Sequence, residues 1–348
     1  MHINKIPLSY DKKTTDKSYG GDFLYSQPED ILKLYDLEVS QITKGRGFYI
    51  CSTNQGRKML LPFNGSKEKG IYLKEFLDFL RENNWDVQQI LPTANEEIVA
   101  EDELGTRYIL KDMYEGSEIS TRNLEEVCDA MELLGQYHEV VKKCPLEIPD
   151  CMKNARRSLW EQYEKHKREL NKVYNYVKAR KKKNDFEQQF TIQYPMLSGN
   201  LDEILKKMEE IQGREQISVI CHGDYNQHNI LTTKQGLRMV NFEGLEYNIP
   251  IVDVAHFMRK ILEKNGWREE VGIAMLESYE KSRKFPAQEK EYLYLMLKFP
   301  EKLWKLANHY YNSHKAWMSG RDLEKLKKIA AQEEMRQQFL EKMFSFFQ

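Results

Sequence analysis

The chain has 348 residues, of which 41% are apolar and 31% charged, a balance that supports a folded core and argues against disorder. A formal net charge of −1 provides no general attraction for nucleic acid or acidic lipid. Five scattered cysteines without a C-x-x-C pair argue against a disulfide framework and a zinc site. Because no apolar run approaches about 20 residues and the start lacks a signal-peptide pattern, we expect a soluble protein made in the cytoplasm.

The first third of the chain predicts a small sheet with one helix. Residues 1–26 carry little periodicity, and we expect no regular structure there. A short helix is predicted at Ile31–Tyr35, and an amphipathic helix at Tyr72–Asn83. Six segments read as strands, and we expect them to supply a five-stranded sheet: Leu37–Thr43, Gly47–Thr53, Arg57–Phe63, Trp85–Pro92, Ile98–Ala100 and Arg107–Lys111.

The remaining two thirds predict helices, interrupted by one hairpin. The predicted helices are Thr121–Lys143, Asp150–Lys181, Asn184–Gln212, Pro250 to about Lys264, Arg268–Ser282, Pro286–Leu297, Pro300–Tyr311 and Arg321–Phe347. The hairpin segment begins with an apolar strand, Ile217–Cys221, and ends with a second strand, Leu237–Phe242. Between the strands lies a polar loop, His222–Asn229, which is the part of the sequence richest in chemical groups.

Within this loop, Asp224 and Asn229 stand five positions apart. Phosphoryl transfer uses one carboxylate to hold the acceptor hydroxyl and an amide oxygen to help hold magnesium. A surface loop with chance polar residues is the alternative, but strands on both sides supply the context that such a motif needs. The spacing therefore favours a phosphotransfer site.

The pattern His-x-Asp-x-x-x-x-Asn resembles the catalytic loop of the aminoglycoside phosphotransferases and choline kinases. The resemblance implies an α+β, bilobal protein kinase-like fold with a small β-rich lobe at residues 1–112 and a large helical lobe at 113–348. It also implies ATP and Mg²⁺ as cofactors, with Asp224 as the catalytic carboxylate and His222 bracing the loop. Asn229 would be a metal ligand, and the backbone of Lys111, Asp112 and Met113 would hydrogen-bond the adenine.

Two departures from that family pattern weaken the predicted cofactor site. Asn241 stands where the family has a metal-binding Asp, and a neutral amide is a poorer ligand for magnesium than a carboxylate. Glu243, two residues on and on the same side of a strand, could replace it as a ligand. Leu61 occupies the place of the lysine that grips the phosphates, and Lys58 lies on the opposite face.

The whole pattern, including Tyr108–Gly116 and Ile249–Ala255, resembles the CotS-type spore coat proteins. The resemblance implies synthesis in the mother cell, deposition on the spore coat and other coat proteins as partners. In that family Asp253 matches an acid that braces the catalytic loop, and an ordinary acid at a helix start is the equal alternative. We favour a degenerate, pseudokinase-like coat-assembly component; the alternative is an active ATP- and Mg²⁺-dependent phosphotransferase acting on a small-molecule hydroxyl.

Overall fold

The computed structural model describes residues 27–212, 214, 217–312 and 320–348. The expectation for residues 1–26 lies outside the described part of the chain. The first described third forms an antiparallel sheet in the order β1-β2-β3-β6-β4, with β5 pairing with β6. Its strands are β1 (Val39–Lys44), β2 (Tyr49–Thr53), β3 (Gly56–Pro62), β4 (Ile90–Leu91), β5 (Ala100–Glu101) and β6 (Arg107–Asp112).

This sheet has six strands rather than the predicted five, because the short β4 and β5 both pair with β6. The strand predicted at Trp85–Pro92 shrinks to two residues. Helix α1 covers Pro28–Leu32, and α2 covers Lys67–Glu82. Helix α2 begins five residues before the prediction because Ser66 caps it, its hydroxyl accepting a hydrogen bond from the Lys69 N–H at 3.1 Å.

The rest of the described chain is mostly helical. Its helices are α3 (Leu124–Val141), α4 (Asp150–Lys153), α5 (Leu159–Ala179), α6 (Asp185–Leu197), α7 (Leu201–Gln212), α8 (Ile251–Lys264), α9 (Glu269–Ser282), α10 (Ala287–Lys298), α11 (Glu301–Asn312), α12 (Gly320–Ala331) and α13 (Glu333–Phe347). The architecture is α+β, with a β-rich first part and a mostly helical remainder, as predicted. The lobe boundary at 112/113 stays a prediction.

Three predicted long helices are wrong in length, since each is divided in two. The helix predicted at Asp150–Lys181 breaks before Ser158, which starts α5 with a capping box completed by Glu161. The helix predicted at Asn184–Gln212 breaks near Gly199, shortly after a proline within α6. The last one breaks at Gln332. Apolar periodicity continued across these breaks, so the capping residues carried the information that was overlooked.

Five short strands form two small sheets around the polar loop. Strand β8 (Val219–Cys221) pairs with β11 (Glu246–Asn248). Strand β9 (Ile230–Thr233) pairs with β10 (Gly236–Met239), and these two strands are the hairpin. Strand β7 (Ser117–Glu118) joins the edge of β9. The connection from the first sheet is thereby attached to the hairpin, and it holds the polar loop beside the end of β6.

Two partly buried histidines in the helical part, His166 and His256, predict acid sensitivity. His166 stacks on Trp304 with ring centroids 3.5 Å apart. Burial lowers the pKa of His166 to about 4 and that of His256 to about 3. The folded state therefore binds fewer protons than the unfolded state between about pH 4 and 6.5, so stability rises with pH across that window. For His166 a shift of that size corresponds to about 3 kcal/mol, lost as the pH falls from about 6.5 to 4.

We expect urea unfolding to show a free energy of unfolding at pH 5 lower than at pH 7, and a smaller difference in His166→Gln, which cannot be protonated. A matched control is His309→Gln, since the His309 side chain is largely exposed. An equal pH dependence in wild type and His166→Gln would contradict the assignment to His166.

Candidate functional site

The start of the polar loop is held by one buried carboxylate, that of Asp253. Asp253, at the start of α8, is 1% exposed and accepts hydrogen bonds from the N–H groups of His222 at 2.7 Å and Gly223 at 3.0 Å. His138 lies 3.5 Å from the same carboxylate. Burial opposes ionisation of Asp253, but the His138 ring and the loop N–H groups outweigh it and lower its pKa. This geometry supports the bracing role over that of an ordinary helix-start acid.

Gly223 allows the polar loop to pass close to the backbone of Gly244. Its φ of +74° is in the left-handed region, and a Cβ there would lie 2.0 Å from the Gly244 carbonyl oxygen. The first turn of the loop therefore requires glycine for both conformation and space.

His222 is a positioning residue in the folded loop. Its imidazole is fully buried, and Nε2 donates to the Val240 carbonyl oxygen at 3.0 Å. Nδ1 lies 3.4 Å from the Asp224 N–H, which donates to it. Burial lowers the pKa of His222, so the neutral ring with its proton on Nε2 fits both bonds. The side chain ties the loop to the end of β10, in keeping with the bracing role predicted for it.

Asp224 carries the accessible carboxylate of the loop, with 55% of its side chain exposed. Its oxygens accept hydrogen bonds from the amide of Asn226 at 2.8 Å and the amide of Asn229 at 3.0 Å. Lys260 of α8 lies 3.9 Å from it. Two amides therefore orient one carboxylate toward solvent, which is suited to accepting a proton from a hydroxyl. Asn226 is a residue that the sequence prediction did not include.

Asn229 connects Asp224 to Asn241. The side-chain oxygen of Asn229 accepts a hydrogen bond from the side-chain amide of Asn241 at 2.8 Å. The structure thus brings the predicted catalytic residue and two predicted metal ligands into one hydrogen-bonded row. Asn241 has φ of +64°, which asparagine tolerates better than most residues.

The predicted second strand does not continue to Phe242. It ends at Met239, and Phe242–Gly244 forms a short 3-10 helix because the left-handed Asn241 turns the chain. The argument that Asn241 and Glu243 share a strand face is therefore wrong. They still reach a common partner, because the turn directs both side chains toward the sheet.

That partner is Lys111, the last but one residue of β6. Its side chain is 2% exposed, and its ammonium donates to the side-chain amide oxygen of Asn241 at 2.7 Å and to the Glu243 carboxylate. Strand pairing places Lys111 opposite Met59, on the same face as Ile109 and Leu61. The sequence prediction assigned Lys111 to adenine through its backbone and did not place its side chain here. The alternation of side chains along β6 places Lys111 on the same face as the buried Ile109, and this pattern could have indicated that the Lys111 side chain points inward.

Leu61, at the position where the family pattern has the phosphate-binding lysine, is apolar and packs against the main core. Lys58 lies on the other face of β3, 6% exposed, and pairs with Asp112 at 2.7 Å. The buried cation at the junction between the first sheet and the hairpin is therefore Lys111 of β6, the strand next to β3. Lys69 of α2 also reaches this junction, donating to the Glu243 carbonyl oxygen at 3.2 Å.

Three of the backbone groups predicted to hydrogen-bond adenine have partners within the fold. The Asp112 N–H donates to the Gln89 carbonyl at 2.9 Å, and the Asp112 carbonyl accepts from the Gln88 amide at 2.8 Å. The Met113 N–H donates to the Arg57 carbonyl at 3.0 Å. Gln88, which is 3% exposed, also accepts from the Asn241 N–H at 2.9 Å. Sequence reasoning missed Gln88 altogether.

The donor set fits a divalent cation poorly. The Asn241 and Glu243 oxygens already bind an ammonium, and the Asn229 oxygen is held by the Asn241 amide. Magnesium favours near-octahedral anionic oxygen ligands and water. In this geometry Lys111 supplies the positive charge that a metal would bring.

Comparison with known proteins agrees with this architecture. Residues 28–343 match the family model described as "Spore coat putative kinase YutH". The chain belongs to this spore coat family. Another similar protein is spore coat protein S of Bacillus subtilis (strain 168), 20% identical over 330 residues that cover 90% of this chain and 93% of the relative.

Solved structures similar to this spore coat family member share its fold. An aminoglycoside phosphotransferase from Alicyclobacillus acidocaldarius superposes with a TM-score of 0.81 at 19% identity, covering 93% of this chain and 97% of the other. Amicoumacin kinase hAmiN, in complex with AMP-PNP, Ca²⁺ and Ami, superposes with a TM-score of 0.60 at 14% identity, covering 89% and 92%. Among the described residues, no helix is both long and apolar enough to cross a membrane.

Proposed function

We propose that this family member is a coat-assembly component built on a kinase-like fold, with phosphotransfer weak or lost. The observation that carries the proposal is the ammonium of Lys111 bound between Asn241 and Glu243. Synthesis in the mother cell, deposition on the spore coat and contact with other coat proteins follow from family membership as parts of the same proposal.

Electrostatics at the junction supports this proposal. Lys111 neutralises Glu243, and Asn241 has no charge, so the local set offers little attraction to Mg²⁺. Two like unit charges 4 Å apart repel by about 4 kcal/mol at an effective dielectric constant of 20, and magnesium carries two. A bound metal would therefore require Lys111 to withdraw from its two partners, which would leave a buried ammonium unpaired.

Nucleotide recognition faces a second obstacle. Gln88 uses its amide group to join the Asp112 carbonyl to the Asn241 N–H, at the place where adenine was predicted to bind. Displacing Gln88 would leave a buried amide without partners, which costs about 1–3 kcal/mol per polar group. Both obstacles act on the ATP and Mg²⁺ site and leave the fold intact.

We expect a thermal shift assay with ATP and Mg²⁺ at millimolar concentrations to give no rise in melting temperature, because Lys111 binds two of the predicted metal ligands and Gln88 lies where adenine was predicted to bind. Isothermal titration calorimetry with AMP-PNP and Mg²⁺ should likewise give no measurable heat of binding. A rise of several degrees, together with ATP turnover that Asp224→Ala abolishes, would overturn the proposal.

Active phosphotransfer is the second candidate, favoured by one observation. The Asp224 carboxylate is half exposed and oriented by Asn226 and Asn229, as a group that accepts a hydroxyl proton would be. In that case a small-molecule hydroxyl would be the acceptor, Asn241 and Glu243 would have to exchange Lys111 for a metal, and Asn229 would have to release the Asn241 amide to bind it. The turnover measurement with Asp224→Ala distinguishes the two candidates.

A further inference from the structure

The first sheet and the hairpin are joined by more than the chain that connects them. Residues after β6 run into β7, which pairs with β9 through Ser117 opposite Thr232 and Glu118 opposite Leu231. A Cβ at Gly116 would lie 2.9 Å from the Thr232 carbonyl oxygen, so the connection rests directly on the hairpin. The end of the connection, residues 116–118, is therefore attached to the hairpin, whereas its start remains bonded to β3 through the Met113 N–H and the Arg57 carbonyl oxygen.

On the outer side of this junction three side chains from three segments meet, which we name the outer latch: Asp86, Tyr114 and Arg238. Asp86 precedes β4, Tyr114 belongs to the connection, and Arg238 lies on β10. The Tyr114 hydroxyl donates to Asp86 at 2.5 Å, and the Arg238 guanidinium forms an ion pair with Asp86. The guanidinium also stands 4.9 Å from the centroid of the Tyr114 ring.

The outer latch is more than an isolated surface ion pair. A single exposed pair contributes little because solvent and salt screen it and because two side chains lose freedom. Here Arg238 is only 18% exposed and is held by an aromatic face as well as a carboxylate. Asp86 in turn receives bonds from two segments, so each contact orients the next.

On the inner side a second set, the inner latch, joins the same two bodies: Gln88, Lys69 and Lys111 from the sheet side, with Asn241 and Glu243 from the hairpin side. Gln88 binds the Asn241 N–H, Lys111 binds both hairpin side chains, and Lys69 binds the Glu243 carbonyl. Gln88 and Lys111 are buried and the other three residues are partly buried, so separating the two bodies would leave polar atoms without partners.

We propose that the outer and inner latches hold the sheet and the hairpin in one closed orientation without any ligand. Two separate attachment points resist rotation about the connection, whereas one would act as a pivot. This goes beyond the proposed function, because it concerns the motion between the two parts of the molecule and does not depend on whether nucleotide binds.

The test is a distance measurement by pulsed electron paramagnetic resonance on the full chain. Spin labels are placed at Leu104→Cys, on the turn between β5 and β6, and at Ile192→Cys on α6. Both side chains are exposed, 66% and 69% respectively. The partly buried Cys128, Cys144 and Cys151 are replaced by serine in the background. Calorimetry with AMP-PNP and Mg²⁺ is run on the same protein.

We expect one narrow distance distribution that AMP-PNP with Mg²⁺ leaves unchanged, and a distribution at least twice as wide in Arg238→Ala combined with Lys111→Met. Arg214→Ala is the matched control and should leave the distribution narrow, because it breaks an exposed Arg–Glu pair within the helical part, with Glu291. Arg238→Ala alone, on a partly exposed site that should not impair folding, should give an intermediate width.

A broad or two-peaked distribution in the unmodified junction would overturn the latch proposal, as would a narrow one that survives loss of Arg238 and Lys111. Its failure is separable from failure of the proposed function. Nucleotide binding with a single unchanged distance would refute the pseudokinase assignment and support the latches. Absence of binding with a broad distribution would do the reverse.

Discussion

Asn241→Asp combined with Lys111→Met is expected to raise the affinity for Mg²⁺ by about 100-fold or more. The first change restores a carboxylate, and the second removes the ammonium that now binds Asn241 and Glu243. Each unit charge at 4 Å is worth about 4 kcal/mol at a dielectric constant of 20. The two changes together give about 8 kcal/mol, of which about 3 kcal/mol remains after desolvation, and 1.4 kcal/mol is a factor of ten in affinity. Calorimetry with Mg²⁺ or Mn²⁺ measures the change.

Two single variants make this experiment specific. Lys111→Met alone keeps the neutral amide at position 241 and should gain far less than the double variant. Lys58→Met removes a buried lysine from the opposite face of β3 and should gain nothing. If the double variant bound metal no better than wild type, the idea that Lys111 takes the place of a metal would be discarded.

Asp253→Ala is expected to lower the free energy of unfolding by about 3–5 kcal/mol, the usual result of removing one partner from a buried charged network. The His222 and Gly223 N–H groups would lose their acceptor, and His138 would lose its neighbouring charge. Urea denaturation monitored by circular dichroism measures the loss. Asp253→Asn should retain part of the stability, since an amide oxygen can accept one of the two bonds.

Asp129→Ala is the matched control, because Asp129 is an exposed acid on the neighbouring helix α3. It should change stability by no more than about 0.5 kcal/mol, as surface substitutions usually do. Equal effects of Asp129→Ala and Asp253→Ala would show that the loop is not braced by the buried carboxylate.

Features that depend on neighbouring residues could be predicted from the sequence. The polar loop between two strands, the β2–β3 hairpin and helix α8 all lie where the sequence patterns placed them, within a few residues. The pattern of His222, Asp224 and Asn229 indicated the kinase-like fold, and the whole pattern, including Tyr108–Gly116 and Ile249–Ala255, indicated the spore coat family. Helix breaks at Ser158 and Gly199 were overlooked, although capping and glycine signals were present locally.

The pairing of Lys111 with Asn241 and Glu243 joins residues 130 and 132 positions apart, and only the folded chain decides it. Strand alternation tells that Lys111 shares a face with Ile109, but not which element covers that face. Gln88 is the same case, since nothing in its neighbours predicts that its amide would join β6 to the hairpin.

The sequence by itself determined which polar groups the loop carries, that position 241 has an amide in place of a carboxylate, and that position 61 has no lysine. Each of these is a matter of residue identity within a short motif. Tertiary structure alone decided that a lysine from a different strand fills the junction. Local periodicity fixes the direction of a side chain, whereas the packing of distant elements fixes the partner that it meets.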